Sequence, residues 1–210
     1  MSLISRREKE KSERRERILD AAEDVFFNKG YERCSMDDIA RTAELSRALL
    51  YVYFKDKAAM LQAIVLRSAC RLRDRFAAAV QDEQQGIDQI ANIARAYYDF
   101  SQQDTHYFDV LTQSSTFVHL TDDEEHRQAL HACGTDIMQL MVDALEAGLA
   151  DGSISPERVS DPLQTAYFLR GALHGVIMEV RHAERRTLEL PEAERLISYT
   201  IDMLGHSMRG

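Results

Sequence analysis

SMDDIARTAELSRALLYVYFKDKAAML, residues 35–61, decides the fold of this 210-residue chain. Ser35 and Asp38 stand as S-x-x-D, a variant of the capping box, in which each residue's side chain bonds an N–H that the helix start leaves open. Met36, Ile39, Ala40 and Ala43 then recur at helical steps, which predicts a short helix over 35–43. The pattern breaks at Glu44-Leu45, and Ser46 caps a second short helix running from Arg47 to Tyr53. Two short helices across a tight break form a helix-turn-helix, whose second member lies in the major groove of DNA while the first braces it. Leu50 and Phe54 belong to the core of this unit. Tyr51 and Tyr53, two apart on a short helix, cannot both be fully buried, so at least one phenol faces out and can donate to a phosphate oxygen.

Working outward, Ile18, Ala21, Ala22, Val25 and Phe26 mark an amphipathic helix that should stop at Asn28-Lys29-Gly30, where glycine supplies the left-handed cap. Residues 5–17 are a dense mixed-charge run, expected as a solvated helix face or arm. Downstream, Asp56 is an N-cap for a fourth helix carrying Met60, Leu61, Ile64, Val65, Ala69 and Leu72. Lys57 sits at the N-terminal end of that helix, where the dipole disfavours a cation by a few tenths of a kcal/mol, roughly, and the free N–H groups attract phosphate. A lysine there makes sense if a phosphate lies opposite, with Lys55 adding to the patch; the alternative is a solvated lysine.

The net charge of −9 argues against nucleic acid, but its distribution does not. Residues 1–60 sum to +1 and hold all five lysines, whereas residues 61–210 sum to −10.

The stretch from Ile18 to Leu61 resembles the TetR family of one-component regulators. The matching elements are ILDAAEDVFFNKGYERCSMDDIA, then AELS, then LLYVYFKDKAAML. The resemblance implies a DNA-binding set of Ser35, Ser46, Arg47, Ala48, Tyr51, Tyr53, Lys55 and Lys57. In it Ser35 meets a phosphate, Arg47 and Ala48 face base edges, and Tyr51, Tyr53 and Lys57 clamp the backbone. Three positions depart from the family pattern. Glu44 stands where the turn usually has glycine, Ala48-Leu49 replaces the common Gly-Thr pair, and Val52 offers no polar group. Fewer direct hydrogen bonds to bases are therefore expected, with more reliance on Arg47 and DNA shape.

Beyond residue 80 the periodicity stays helical: over 87–98, about 105–118, about 123–150, then from Asp161-Pro162, and finally from Pro191 to Ser207. DGSISP at 151–156 is a turn. The expected fold class is all-α: a three-helix helix-turn-helix head over 1–56, with 1–12 as an arm, joined through helix four to a larger helical domain over 57–210, about nine helices in all. In the TetR family the variable helices enclose an effector cavity and the last two pair with a second subunit. That implies an effector set of Tyr97, Tyr98, Tyr107, Phe108, Phe117, Met138, Met141, His174 and Met178, fitting an apolar or aromatic effector. Arg95 or Arg170 turned inward would argue instead for an anionic one. The dimer set is Leu169, Gly171, Ala172, Gly175, Val176, Leu196, Ile197, Ile201 and Leu204, the small residues permitting close helix approach.

The expected function is a ligand-responsive homodimeric regulator, most simply a repressor released from operator DNA by a small molecule. The alternatives are an all-α enzyme and a small-molecule-binding or protein-binding helical module without operator recognition. His119, His126, His131 and Cys133 have poor spacing for a metal, and H-E-x-x-H, C-x-x-C, G-x-S-x-G and phosphate-binding glycine loops are absent, so no catalytic residue, metal or cofactor is assigned. Three widely spaced cysteines suggest reduced thiols in the cytoplasm, with no leader and no membrane span.

Overall fold

The structure, a computed structural model, describes residues 3–80, 85–113, 124–182 and 191–210. These form nine α-helices and no strand. They are α1 (Leu3–Lys29), α2 (Met36–Thr42), α3 (Arg47–Tyr53), α4 (Lys57–Ala79), α5 (Gly86–Gln103), α6 (Thr105–Thr112), α7 (Glu124–Asp151), α8 (Pro162–Arg181) and α9 (Ala193–Met208). Two compact units emerge: Met1–Ser68 with Asp109–Leu130, and Ala69–Phe108 with His131–Gly210.

In the first unit, α1 stops as its sequence dictates. Gly30 takes φ +79° and returns its N–H to Phe26 O at 2.9 Å. The charged run before residue 18 continues the same helix back to Leu3, supported by (i, i+4) ion pairs such as Arg6–Glu10. Ile18, Ala22, Ile39, Leu50, Met60 and Ile64 are fully buried and pack α1 to α4 around one small core. Leu50 of α3 and the 4 %-exposed Phe54, its C-cap, are therefore the core residues of this segment. Ser35 and Asp38 form the complete capping box. Asp38 also accepts from Lys29 Nζ at 2.7 Å, and these bonds hold its carboxyl far below the usual range. Glu44, in the turn, is the only described non-glycine residue at positive φ, +55°. A residue with a β-carbon does fill the left-handed bend, at a cost that glycine avoids.

Arg67 of α4 adds a tie that sequence periodicity did not reveal. Its guanidinium donates to Glu16 at 2.5 Å and to Asp20 and Glu23 at 2.7 Å, all on α1. Nearby in the same unit, the ring Nε2 of His126 lies 2.5 Å from Gln62 O.

In the second unit α5 starts against the C-terminal end of α7. Gly86 N donates to Asp151 at 2.8 Å and Ile87 N to Ser153 Oγ at 3.2 Å, satisfying N–H groups that the helix leaves open. The backbones meet so closely that a β-carbon on Gly86 would lie 2.0 Å from Gly148 N. Asp161 caps α8 by accepting from Gln164 N, with Pro162 in the first turn. α8 packs on both α9 and α5.

Candidate nucleic-acid interface and effector cavity

Among the described residues, the exposed large hydrophobic side chains fall into two groups: Tyr51 and Val52 on α3, and Leu163, Tyr167, Phe168, Tyr199 and Met203 on α8 and α9. Exposed apolar side chains gathered into one patch, unlike scattered single ones, are candidates for a surface that meets a partner.

The α3 group follows from helix geometry. Leu50 and Phe54 anchor one side, which leaves Arg47, Ala48, Tyr51 and Val52 on the opposite face, all exposed. Tyr51 is 45 % and Val52 69 % exposed, while Tyr53 is half-buried and Lys55 exposed. Arg47 donates to Asp37 of α2 at 3.1 Å and to the Tyr51 hydroxyl at 3.2 Å, and these partners raise its pKa. Ser35 and Ser46 are both spent on capping: Ser35 Oγ accepts from Asp38 N, and Ser46 Oγ from Leu49 N at 3.3 Å.

Lys57 differs from the expectation of a cation open to phosphate. Its ammonium donates to three carbonyl oxygens of the α1–α2 loop, Tyr31 O at 2.8 Å, Cys34 O at 3.2 Å and Glu32 O at 3.4 Å, and lies 4.3 Å from the Tyr31 ring centre. These carbonyl oxygens, the negative ends of peptide dipoles, offset the repulsion between the ammonium and the positive end of its own helix. Sequence alone located the electrostatic anomaly but not the loop that answers it.

In the second unit a cavity of about 50 Å³ lies among α4, α5, α7, α8 and α9, its wall almost wholly apolar. Tyr97 and Met141 from the expected effector set line it, as does Arg170. Behind Tyr97, its hydroxyl oxygen lies 2.8 Å from His174 Nδ1. Burial pushes the Tyr97 phenol up to about 12 and, with help from Arg170, pulls the His174 pKa down, so a protonated phenol faces a neutral imidazole. Phe108, fully buried, packs on both rings at 5.7 and 6.0 Å.

The other expected effector residues are placed elsewhere. Tyr98 lines a separate groove with Arg95 and Glu194. Tyr107 is half-buried under Arg71 at 4.4 Å, Met138 is buried in α7 and Met178 half-buried in α8. Phe117 lies outside the described residues.

The expected interface residues fall into covered and open groups. Leu169, Ile197 and Ile201 are 5, 3 and 8 % exposed, so they serve the core of their own chain. Ala172, Val176, Leu196 and Leu204 are half-buried. The open stripe runs a step around each helix, through Leu163, Tyr167, Gly171 and Gly175 on α8 and Tyr199 and Met203 on α9. A β-carbon on Gly171 or Gly175 would meet nothing within 4 Å. Of the expected set, Gly171 and Gly175 lie on this open stripe, whereas the residues chosen by apolar periodicity lie on the covered side. The signal for the open stripe was the four-residue step Leu163, Tyr167, Gly171, Gly175 on α8, and the same step from Tyr199 to Met203 on α9.

Comparison with known proteins places this architecture. Residues 18–64 match the family described as bacterial regulatory proteins, tetR family, and residues 90–204, more than half of the chain, match the tetracyclin repressor-like C-terminal domain. The chain belongs to the TetR family of transcriptional regulators. Relatives include the HTH-type transcriptional activator FasR of Mycolicibacterium smegmatis, 24 % identical over 131 residues, which make up 62 % of this chain and 60 % of that protein. The regulator TtgR of Pseudomonas putida is 35 % identical over 81 residues, 39 % of this chain and 38 % of TtgR. The chain thus spans less than two thirds of the length of these relatives. The same fold occurs in FadR of Bacillus subtilis, solved with stearoyl-CoA, at a TM-score of 0.67 and 18 % identity, covering 92 % of this chain and 98 % of that one.

Among the described residues no three His, Cys, Asp or Glu side chains gather where a metal could sit, and no helix is long and apolar enough to cross a membrane.

Proposed function

We propose that this TetR-family regulator represses transcription as a homodimer and is released from its operator by a small apolar molecule bearing an anionic group. The observation that carries the DNA reading is the exposed α3 face, Arg47, Ala48, Tyr51 and Val52, held outward by Leu50 and Phe54. The head is residues 1–56. Arg47 suits a guanine edge, and the methyl groups of Ala48 and Val52 suit thymine methyls, so apolar contact stands in for the missing hydroxyl. Tyr51, Tyr53 and Lys55 meet phosphates, which fix register without reading sequence. Ser35 and Ser46 support this surface as caps. Lys57 acts as the tether of the α1–α2 loop.

The exposed stripe of α8 and α9 supports pairing with a second copy. Gly171 and Gly175 let two α8 helices approach closely, and Tyr167, Tyr199 and Met203 supply apolar area. Pairing gives two reading helices for two half-sites.

The effector site is the cavity at Tyr97, Met141 and Arg170, with His174 and Phe108 behind. Its 50 Å³ suits a water or two and not a ligand, whose pockets occupy roughly 300–1,000 Å³. An effector therefore binds by selecting a more open conformer, which is what release requires: it shifts the equilibrium only through better binding to the state that holds DNA poorly. Apolar walls favour an acyl or aromatic body, and Arg170, exposed with its guanidinium 5.1 Å from the Tyr167 ring, meets an anionic head by turning inward in the opened conformer. FadR of Bacillus subtilis, which binds stearoyl-CoA, points the same way.

The test is fluorescence anisotropy on an operator selected from random duplexes, with and without fatty acids and acyl-CoA thioesters. Release at micromolar effector, lost in Arg170→Ala, supports the reading. DNA binding that survives an effector shown calorimetrically to occupy the protein rejects it. FasR is named an activator, which favours a second reading of gene activation. A reporter that falls when the gene is deleted would select it.

A further inference from the structure

Two of the three cysteines lie together. Cys70 of α4 and Cys133 of α7 have their sulfurs 3.7 Å apart, the Cys133 S–H donating to Cys70, and both are free thiols. They are 63 residues apart in sequence, so only the fold makes them neighbours. Cys133 is 3 % exposed while Cys70 is partly open to solvent, so one thiol meets a reagent and the other waits behind it. Arg73, one turn along α4 from Cys70, stands close enough to act on the charge of both sulfurs, and it reaches Asp136 of α7 at 3.9 Å. Arg73 also donates to Asp74 at 2.8 Å, so what singles out the pair is the closeness of the two sulfurs and the exposure of one of them. Burial and the neighbouring thiol push Cys133 up to about 12, which keeps it protonated and leaves first attack to Cys70.

We propose that Cys70 and Cys133 form a redox-active pair, which a hydroperoxide closes to an intramolecular disulfide that ties α4 to α7. In the first step the Cys70 sulfur attacks a peroxide oxygen. An S–O bond forms, the O–O bond breaks, and the leaving oxygen takes the Cys70 proton and departs as water or an alcohol. Cys70 is then a sulfenic acid. In the second step the Cys133 sulfur attacks the Cys70 sulfur. The S–S bond forms, the S–O bond breaks, and hydroxide leaves as water with the Cys133 proton. Two thiols lose two electrons and the peroxide gains them. The sulfurs must close from 3.7 Å to about 2.05 Å, a step within reach of side-chain rotation and a small approach of the two helices. A dithiol reductant reverses the bond. This site is independent of the effector reading, because it requires neither DNA nor ligand.

The test uses the full chain, folded, treated with hydrogen peroxide and digested without reductant for mass spectrometry. A linked peptide joining Cys70 to Cys133, two hydrogens lighter than its reduced parts and abolished by dithiothreitol, is the expected result. Cys133→Ser should instead accumulate a sulfenic acid at Cys70 that dimedone traps. Cys34, buried and donating to Ser35 O at 3.6 Å, is the internal control, and Cys34→Ser should behave as wild type. Wild-type protein that keeps Cys70 and Cys133 as free thiols, at peroxide levels that oxidise an unstructured cysteine peptide, overturns the proposal. So does a product in which Cys70 links only to another chain or to Cys34.

Discussion

Replacing Lys57 by methionine separates two roles that a lysine at the start of α4 can play. Methionine keeps the unbranched stem and removes the ammonium. Three hydrogen bonds to Tyr31, Glu32 and Cys34 carbonyls disappear with it, as does the contact with the Tyr31 ring. A hydrogen bond from a charged donor contributes about 1.5–3 kcal/mol net, but these three share one donor, and one of them is solvent-exposed. The loss is therefore set at about 2–3 kcal/mol in all, less than the sum of separate bonds. For a protein of this size that lowers Tm by about 4–12 °C. Differential scanning calorimetry reads it directly. The same variant, titrated with operator at several salt concentrations, tests the opposing role. A lysine that neutralises a phosphate contributes about 0.9 to the slope of log affinity against log salt. With its ammonium turned into the loop, Lys57 contributes little, so the slope should match wild type while Tm falls. An unchanged Tm together with a slope flatter by about one unit would refute the reasoning and restore Lys57 to the phosphate contacts.

Three further outcomes follow from particular residues. Glu44→Gly relieves the left-handed strain at φ +55°, and after the flexibility gained by the unfolded chain it should stabilise the head by about 0.5–1 kcal/mol in urea titrations. Gly86→Ala places a β-carbon 2.0 Å from Gly148 N and 2.4 Å from Ala144 O, backbone atoms that cannot step aside; it should cost about 3 kcal/mol or more of stability, read from the urea midpoint. The His174 pKa is depressed in the folded state, so the unfolded chain binds its proton first; the contribution is fully present above the unfolded value, about 6.5, and is lost as pH falls from there through the folded pKa. Urea midpoints of wild type should drop across that window more steeply than those of His174→Gln.

Local chemistry was legible where one short segment contains its own explanation. Ser35 and Asp38 cap α2, Ser46 caps α3, Gly30 ends α1, and Asp161-Pro162 begins α8, each with both partners a few residues apart. The outward face of α3 could be read because Leu50 and Phe54 fix the helix's rotation. What the sequence left unread depends on distant partners. Lys57 bonds carbonyls more than twenty residues away, Arg67 gathers three carboxylates of α1, and Cys70 meets Cys133 across two helices. The open stripe of α8 and α9 was left unread for a related reason. Leu169, Ile197 and Ile201 have the apolar period of an interface, but the chain's own core has the same period, and only packing shows which stripe is already covered.

The decisive event is the entry of two α3 helices into the major groove, one at each half-site. Hydroxyl-radical footprinting on the selected operator, complemented by methylation interference at guanine N7, measures this. Two protected segments related by a dyad, their centres about 34 Å or a multiple apart, with guanine contacts that vanish in Arg47→Ala, are the result expected. One asymmetric footprint, or protection unchanged when Arg47, Tyr51 and Val52 are all replaced by alanine, would contradict it.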